Sequence, residues 1–166
     1  MFKLFVLAFA LMSTPAYAGK LSQGVFGIPW GEHTEFPQPA ETSNCIQKVD
    51  VGVEWTCDKL IGETPVVVSY AWKHQRFYAI ILNGQGFTNC DQLMKVLTAA
   101  WGNSKPQSEY LRGDMDDRIW FDGQATATWK YNKYSDKCTA TAVNTAQYTA
   151  VQRQDREAAK NVSNGI

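Results

Sequence analysis

Four cysteines behind an export-type leader limit the folds open to this chain more than any other feature. Residues 1–18 begin Met-Phe-Lys, continue through an apolar run from Leu4 to Met12, and end in the small-residue site Ala16-Tyr17-Ala18. A positive start, a short apolar stretch and an A-x-A site form a secretory signal, with cleavage expected near Ala18. The apolar run is shorter than the roughly 20 residues a membrane span needs. Export leads to an oxidising compartment, periplasmic or extracellular, where paired thiols become crosslinks. Cys45, Cys57, Cys90 and Cys138 are therefore read as two disulfides, not as catalysts or metal ligands.

Bulk charge narrows the partners. Lys and Arg total 16 and Asp and Glu total 16. That balance lacks the basic face that nucleic acid or anionic lipid requires. The aromatic content is high, with six Trp, seven Tyr and eight Phe. Such residues either fill a β-rich core or present anchors to a protein or glycan.

Residues 19–43 are punctuated by Gly24, Gly27, Pro29, Gly31, Pro37 and Pro39 and read as an irregular lead-in clamped on the domain by its apolar side chains. Residues 45–57 alternate like a hairpin turning near Val51, which sets Cys45 opposite Cys57 at disulfide range. Four cysteines allow three connectivities. The hairpin favours Cys45–Cys57 and leaves Cys90–Cys138 by elimination.

Pro65 to Trp72 and Arg76 to Leu82, separated by Lys73-His74-Gln75, predict a second hairpin of central strands. Cys90, Leu93, Met94, Leu97 and Trp101 form one apolar stripe, predicting a helix over 89–101 with Asn89 as N-cap and Gly102 just past its end. A polar loop, 102–116, follows. Asp122-Gly123 then joins Arg118–Phe121 to Gln124–Tyr131, with Ala125, Ala127, Trp129 and Tyr131 on one face. A last strand covers Cys138 to Val143. A charged helix covers 146–160, and 161–166 form a flexible tail. The expected fold is α+β: an antiparallel sheet of hairpins and a meander, braced by disulfides. One amphipathic helix and a C-terminal helix pack on one side of it, in a single domain over 44–160.

Chemistry-bearing patterns are sparse. His33 and His74 are the two histidines, and no HExxH, CxxC, G-x-S-x-G or phosphate-loop pattern accompanies them. Asp114, Asp116 and Asp117 lack the spacing of a calcium loop. Arg112-Gly113-Asp114 and Asn161-Val162-Ser163 match short motifs that recur by chance. No metal and no cofactor are expected.

Val25-Phe26-Gly27-Ile28-Pro29-Trp30-Gly31 is the one distinctive string. It resembles the F-G-x-P-W-G opening of small exported proteobacterial proteins, mostly uncharacterised. Ala100-Trp101-Gly102 and Ala127-Thr128-Trp129 resemble later features of that group. The resemblance implies an exported, sheet-based fold and no particular activity. The chain is expected to be a non-enzymatic binding or inhibitor-like module of the bacterial envelope, with another envelope or extracellular protein as partner. Trp30, Trp72, Tyr78, Trp120 and Trp129 are its candidate anchors. A small hydrolase of wall or extracellular substrates, built around His33 or His74, is the alternative. A component of a surface or secretion assembly is the third reading.

Overall fold

The computed structural model describes residues 20–33, 45–50, 53–106 and 115–163. The leader and cleavage site, Pro37 and Pro39, the turn at Val51, and the Arg112-Gly113-Asp114 tripeptide lie outside these residues.

Three short strands open the described chain: β1 (Gly24–Val25), β2 (Ile28–Pro29) and β3 (Gly31–Glu32). Four longer ones follow: β4 (Cys45–Asp50), β5 (Val53–Ile61), β6 (Thr64–Lys73) and β7 (Arg76–Gln85). Helix α1 spans Phe87–Trp101. Then come β8 (Lys105–Pro106), β9 (Met115–Asp122), β10 (Ala125–Asn132), β11 (Lys137–Asn144) and helix α2 (Thr145–Ser163).

The main sheet runs β4-β5-β6-β7-β11-β10-β9-β8 and is antiparallel throughout. β3 extends it beside the start of β7, at Gly31↔Phe77. The fold is therefore α+β with hairpins and a meander, as the sequence predicts. Both disulfides form in the expected pairs. Cys45 sits directly opposite Cys57 with Cα atoms 4.1 Å apart, and Cys90 joins Cys138 across 48 residues of chain. The second bridge pins α1 to β11. In the chain-entropy account, closing a loop of that length stabilises the fold by about 4 kcal/mol.

Strand alternation splits the side chains between two faces. On one face Val68, Ile80, Leu82, Ala127 and Ala140 join Cys90, Leu93 and Leu97 of α1 in the main core. On the other face Ala71, Ala79 and Val143 pack with Val151 of α2. The helices thus lie on opposite faces, which corrects the one-sided packing predicted from sequence. The second face has its own small apolar cluster: α2 sets Val151 on Ala71, Ala79 and Val143 and Tyr148 against Tyr78, and docks otherwise through polar contacts. Lys73 Nζ and His74 Nε2 donate to the carboxylate of Asp155 at 2.9 and 2.7 Å. Arg76 Nη1 donates to Gln147 Oε1 at 2.9 Å.

Other boundaries shift. The first helix begins at Phe87, and Gly86 holds its N-cap position without a side-chain cap. Asn89 does not cap; its Nδ2 donates back to the Gln85 carbonyl at 2.9 Å. Gly102 closes the helix as expected, with φ 85° and its N–H on the Thr98 carbonyl. Lys105–Pro106 pair with β9 where sequence predicts loop, and Asp116 and Asp117 lie within β9. The second helix continues through Ser163, so residues 161–163 are helical. The lead-in is not wholly irregular. It places Leu21, Val25 and Ile28 in the main core.

Candidate functional site

The distinctive string folds into a small hairpin on the rim of the molecule. Val25 pairs with Ile28, leaving Phe26 and Gly27 as the two turn residues. Both have positive φ, 49° and 80°. Two left-handed residues define the tight turn that matches strand twist, and Asn-Gly is the pair that adopts it most readily. Phe at the first position costs roughly 1–2 kcal/mol of backbone strain. Gly24 is required for another reason: a Cβ there would lie 2.2 Å from the Ile28 carbonyl oxygen.

The strained Phe26 is not hidden. The residue is 39% exposed, and its ring lies 6.3 Å from that of Trp101, the last residue of α1. Trp101 in turn meets Trp120 edge-on at 5.5 Å, and Trp120 Nε1 donates to the Gly102 carbonyl at 2.8 Å. Between the hairpin and the end of α1 lies a cleft of about 200 Å³, walled by Phe26, Ile28, Pro29, Ala100 and Trp101. Lys20 brings a charge to its edge. A cavity of about 150 Å³ lined by aliphatic and aromatic groups can hold a benzene ring. This cleft has room for one large apolar side chain.

The hairpin is fixed from beneath. Trp30 stacks on Phe77 at 4.9 Å and donates from Nε1 to the Leu21 carbonyl at 2.7 Å. Asp122 Oδ2 accepts the Ser22 N–H at 2.8 Å and its hydroxyl at 2.9 Å. These bonds from Ser22 hold the Asp122 carboxyl below its ordinary pKa.

The sequence-selected anchors lie elsewhere. Trp120 and Trp129 are 3% and 2% exposed and belong to the core, so neither presents a surface. Tyr78 is buried beneath α2, 5.8 Å from the ring of Tyr148. Trp72 and Trp30 are half-buried against the main core. For Trp120, Trp129 and Tyr78 the cause is that bulky residues on these strands point into a core on one face or the other; Trp30 and Trp72 keep part of their surface exposed. Phe26 and Trp101, which do line a cleft, are absent from that set. Phe26-Gly27 stands where Asn-Gly is favoured only once Val25 is known to pair with Ile28, so sequence alone carried no clear signal.

The histidines approach one turn without forming a reaction centre. His74 and Gln75 make the β6–β7 turn, both left-handed, at φ 52° and 60°. His33 N–H reaches the Gln75 carbonyl at 2.8 Å, while its Nε2 donates to the Pro29 carbonyl at 2.8 Å. His74 is occupied by Asp155. The cleft described above includes neither histidine. Among the described residues no group of three or more His, Cys, Asp or Glu could hold a metal ion, and no helix is long and apolar enough to cross a membrane.

Set against models of known protein families, curated proteins and solved structures, the chain matches none.

Proposed function

We propose that the chain is an exported, non-enzymatic binding module of the bacterial envelope, and that the Phe26–Trp101 cleft receives a protruding apolar side chain of a partner protein. Phe26 carries the reading. It occupies a backbone position that Asn or Gly would fill at lower cost, and the residue stays 39% exposed. Strained residues persist where the surrounding structure over-determines them, and they cluster at binding sites. Rigid aromatic anchors around a small desolvated pocket are the usual energetic centre of a protein interface. The two disulfides support an oxidising compartment.

Pull-down from the native envelope tests this reading, with bait purified under oxidising conditions. One stoichiometric partner, retained by the parent chain and lost with Phe26→Ala while both disulfides stay formed, is the expected result. Equal capture by both baits, or turnover of a wall or peptide substrate by the parent chain, would overturn it.

A further inference from the structure

A second cleft opens where the sheet splits. β6 begins at Thr64 and β7 runs to Gln85, yet the two pair only from Val67↔Asn83 onward. Below that point β6 stays with β5, at Ile61↔Thr64, and β7 stays with β11, at Lys137↔Gln85. The gap is a cleft of about 520 Å³. That is within the roughly 300–1,000 Å³ range of small-ligand sites.

The split has a cause in the sequence. The 4.1 Å Cα spacing of Cys45 and Cys57 is that of a non-hydrogen-bonded pair, so the backbone groups of Cys57 face β6. Counting through Cys57↔Val68, the groups of Val67 face β7, and so do those of residue 65, two positions away. Residue 65 is Pro and has no N–H to give. Opposite it, the Gln85 carbonyl already accepts Asn89 Nδ2. This position can form at most one ladder bond without competition, from Gln85 N–H to the Pro65 carbonyl, and the strands part here; an added peptide strand would meet the same missing donor on β6.

Side chains are left to do the recognition. Asn83, Gln85 and Asn89 line the cleft together with Asp58. Asn83 Oδ1 accepts from Thr139 Oγ1 at 2.9 Å and Asn89 Nδ2 is held by the Gln85 carbonyl, which orients these two amides and leaves Asn83 Nδ2, Asn89 Oδ1 and the Gln85 carboxamide to meet a ligand. Pro65 and Val67 give it an apolar strip. Lys59 and Lys137 also line the cleft, so both signs of charge are present. Planar amides and a carboxylate can bond paired hydroxyls, and an apolar strip can lie against ring C–H groups. We infer that this cleft is a saccharide site, taking a neutral pyranose unit edge-on to the carboxamides. The inference stands apart from the Phe26 cleft.

An NMR titration of the nitrogen-labelled protein, both disulfides formed, tests it with two probes: the tetramer of N-acetylglucosamine and the tetramer of β-linked glucose, each taken to about 10 mM. At least one probe should shift the side-chain amides of Asn83, Gln85 and Asn89 to saturation. Asp58→Ala combined with Gln85→Ala, both exposed positions, should weaken binding about tenfold or more. Phe26→Ala should leave it unchanged. Silence with both probes, shifts centred elsewhere, or an unaltered affinity in the double variant would overturn the inference. So would an extended peptide that moves the backbone amides of Val66 and Gln85 while both sugars do nothing. None of those failures bears on partner capture through Phe26.

Discussion

The Phe26 ring stands 6.3 Å from that of Trp101 with the two planes tilted by 46°, which joins the tip of the first hairpin to the end of the first helix. The contact makes Trp101 a reporter. Filling the cleft between the two rings should change its emission, and Trp101→Phe should remove most of that change. Steady-state fluorescence during titration with a captured partner checks this. A signal that survives Trp101→Phe would place the bound group elsewhere.

Gly84 faces the second disulfide with no room for a side chain. A Cβ on Gly84 would fall 2.8 Å from Cys138 Sγ. Gly84→Ala is expected to destabilise the protein by about 1–3 kcal/mol through overpacking. The same change in a Cys90→Ala, Cys138→Ala background should cost clearly less, because the sulfurs are gone. Denaturant unfolding of the four variants closes this cycle. Equal cost in both backgrounds would mean that the backbone, not the bridge, forbids the methyl.

Burial pushes the Tyr70 hydroxyl up to about 12. Its unfolded value is near 10, so the unfolded chain loses this proton first as pH rises. Stability from the neutral phenol is full below about pH 10 and declines between 10 and 12, by roughly 2–3 kcal/mol in all. Tyr70→Phe should flatten that alkaline limb. Urea midpoints across this pH window measure it; an unchanged limb in the variant would contradict the assignment.

Acid acts through a different pair. The backbone and hydroxyl of Ser22 lower the pKa of Asp122, so this carboxylate stabilises the fold above its ordinary value near 4 and stops doing so as pH falls below it. Asp155, lowered by Lys73 and His74, follows the same sign. Asp122→Asn should therefore lower the melting temperature near neutral pH and matter less and less as pH falls through the carboxylate range. Melting curves of parent and variant compared over that range decide it.

Much of the architecture is legible in the chain. Asp-Gly and the alternating strands announce the meander, and the turn symmetry of residues 45–57 brings Cys45 onto Cys57. The stripe from Cys90 to Trp101 announces α1. What escaped the sequence lies in long-range polar contacts. The second helix is held by Asp155 to residues 81 and 82 positions away, and no periodicity encodes that. Alternation groups Trp129 with Ala125 and Ala127, but it does not say that this face is the core. The candidate cleft is harder still, because it joins a lead-in hairpin to the end of a helix about 75 residues on in the chain. The strain at Phe26 needs the turn geometry to be known first.

Phe26→Asn separates use from architecture. Asn suits the left-handed turn, so the relieved strain of roughly 1–2 kcal/mol offsets a large part of the lost ring contact of about 0.5–1.5 kcal/mol and the lost burial of about 1–2 kcal/mol for a ring that is partly covered. The decisive measurement is the melting temperature and partner affinity of Phe26→Asn, taken on the same preparation. The predicted result is a melting temperature no more than a few degrees below the parent's with partner capture abolished. A variant that melts well below the parent yet binds as tightly would show Phe26 to be a structural wedge and contradict the proposed site.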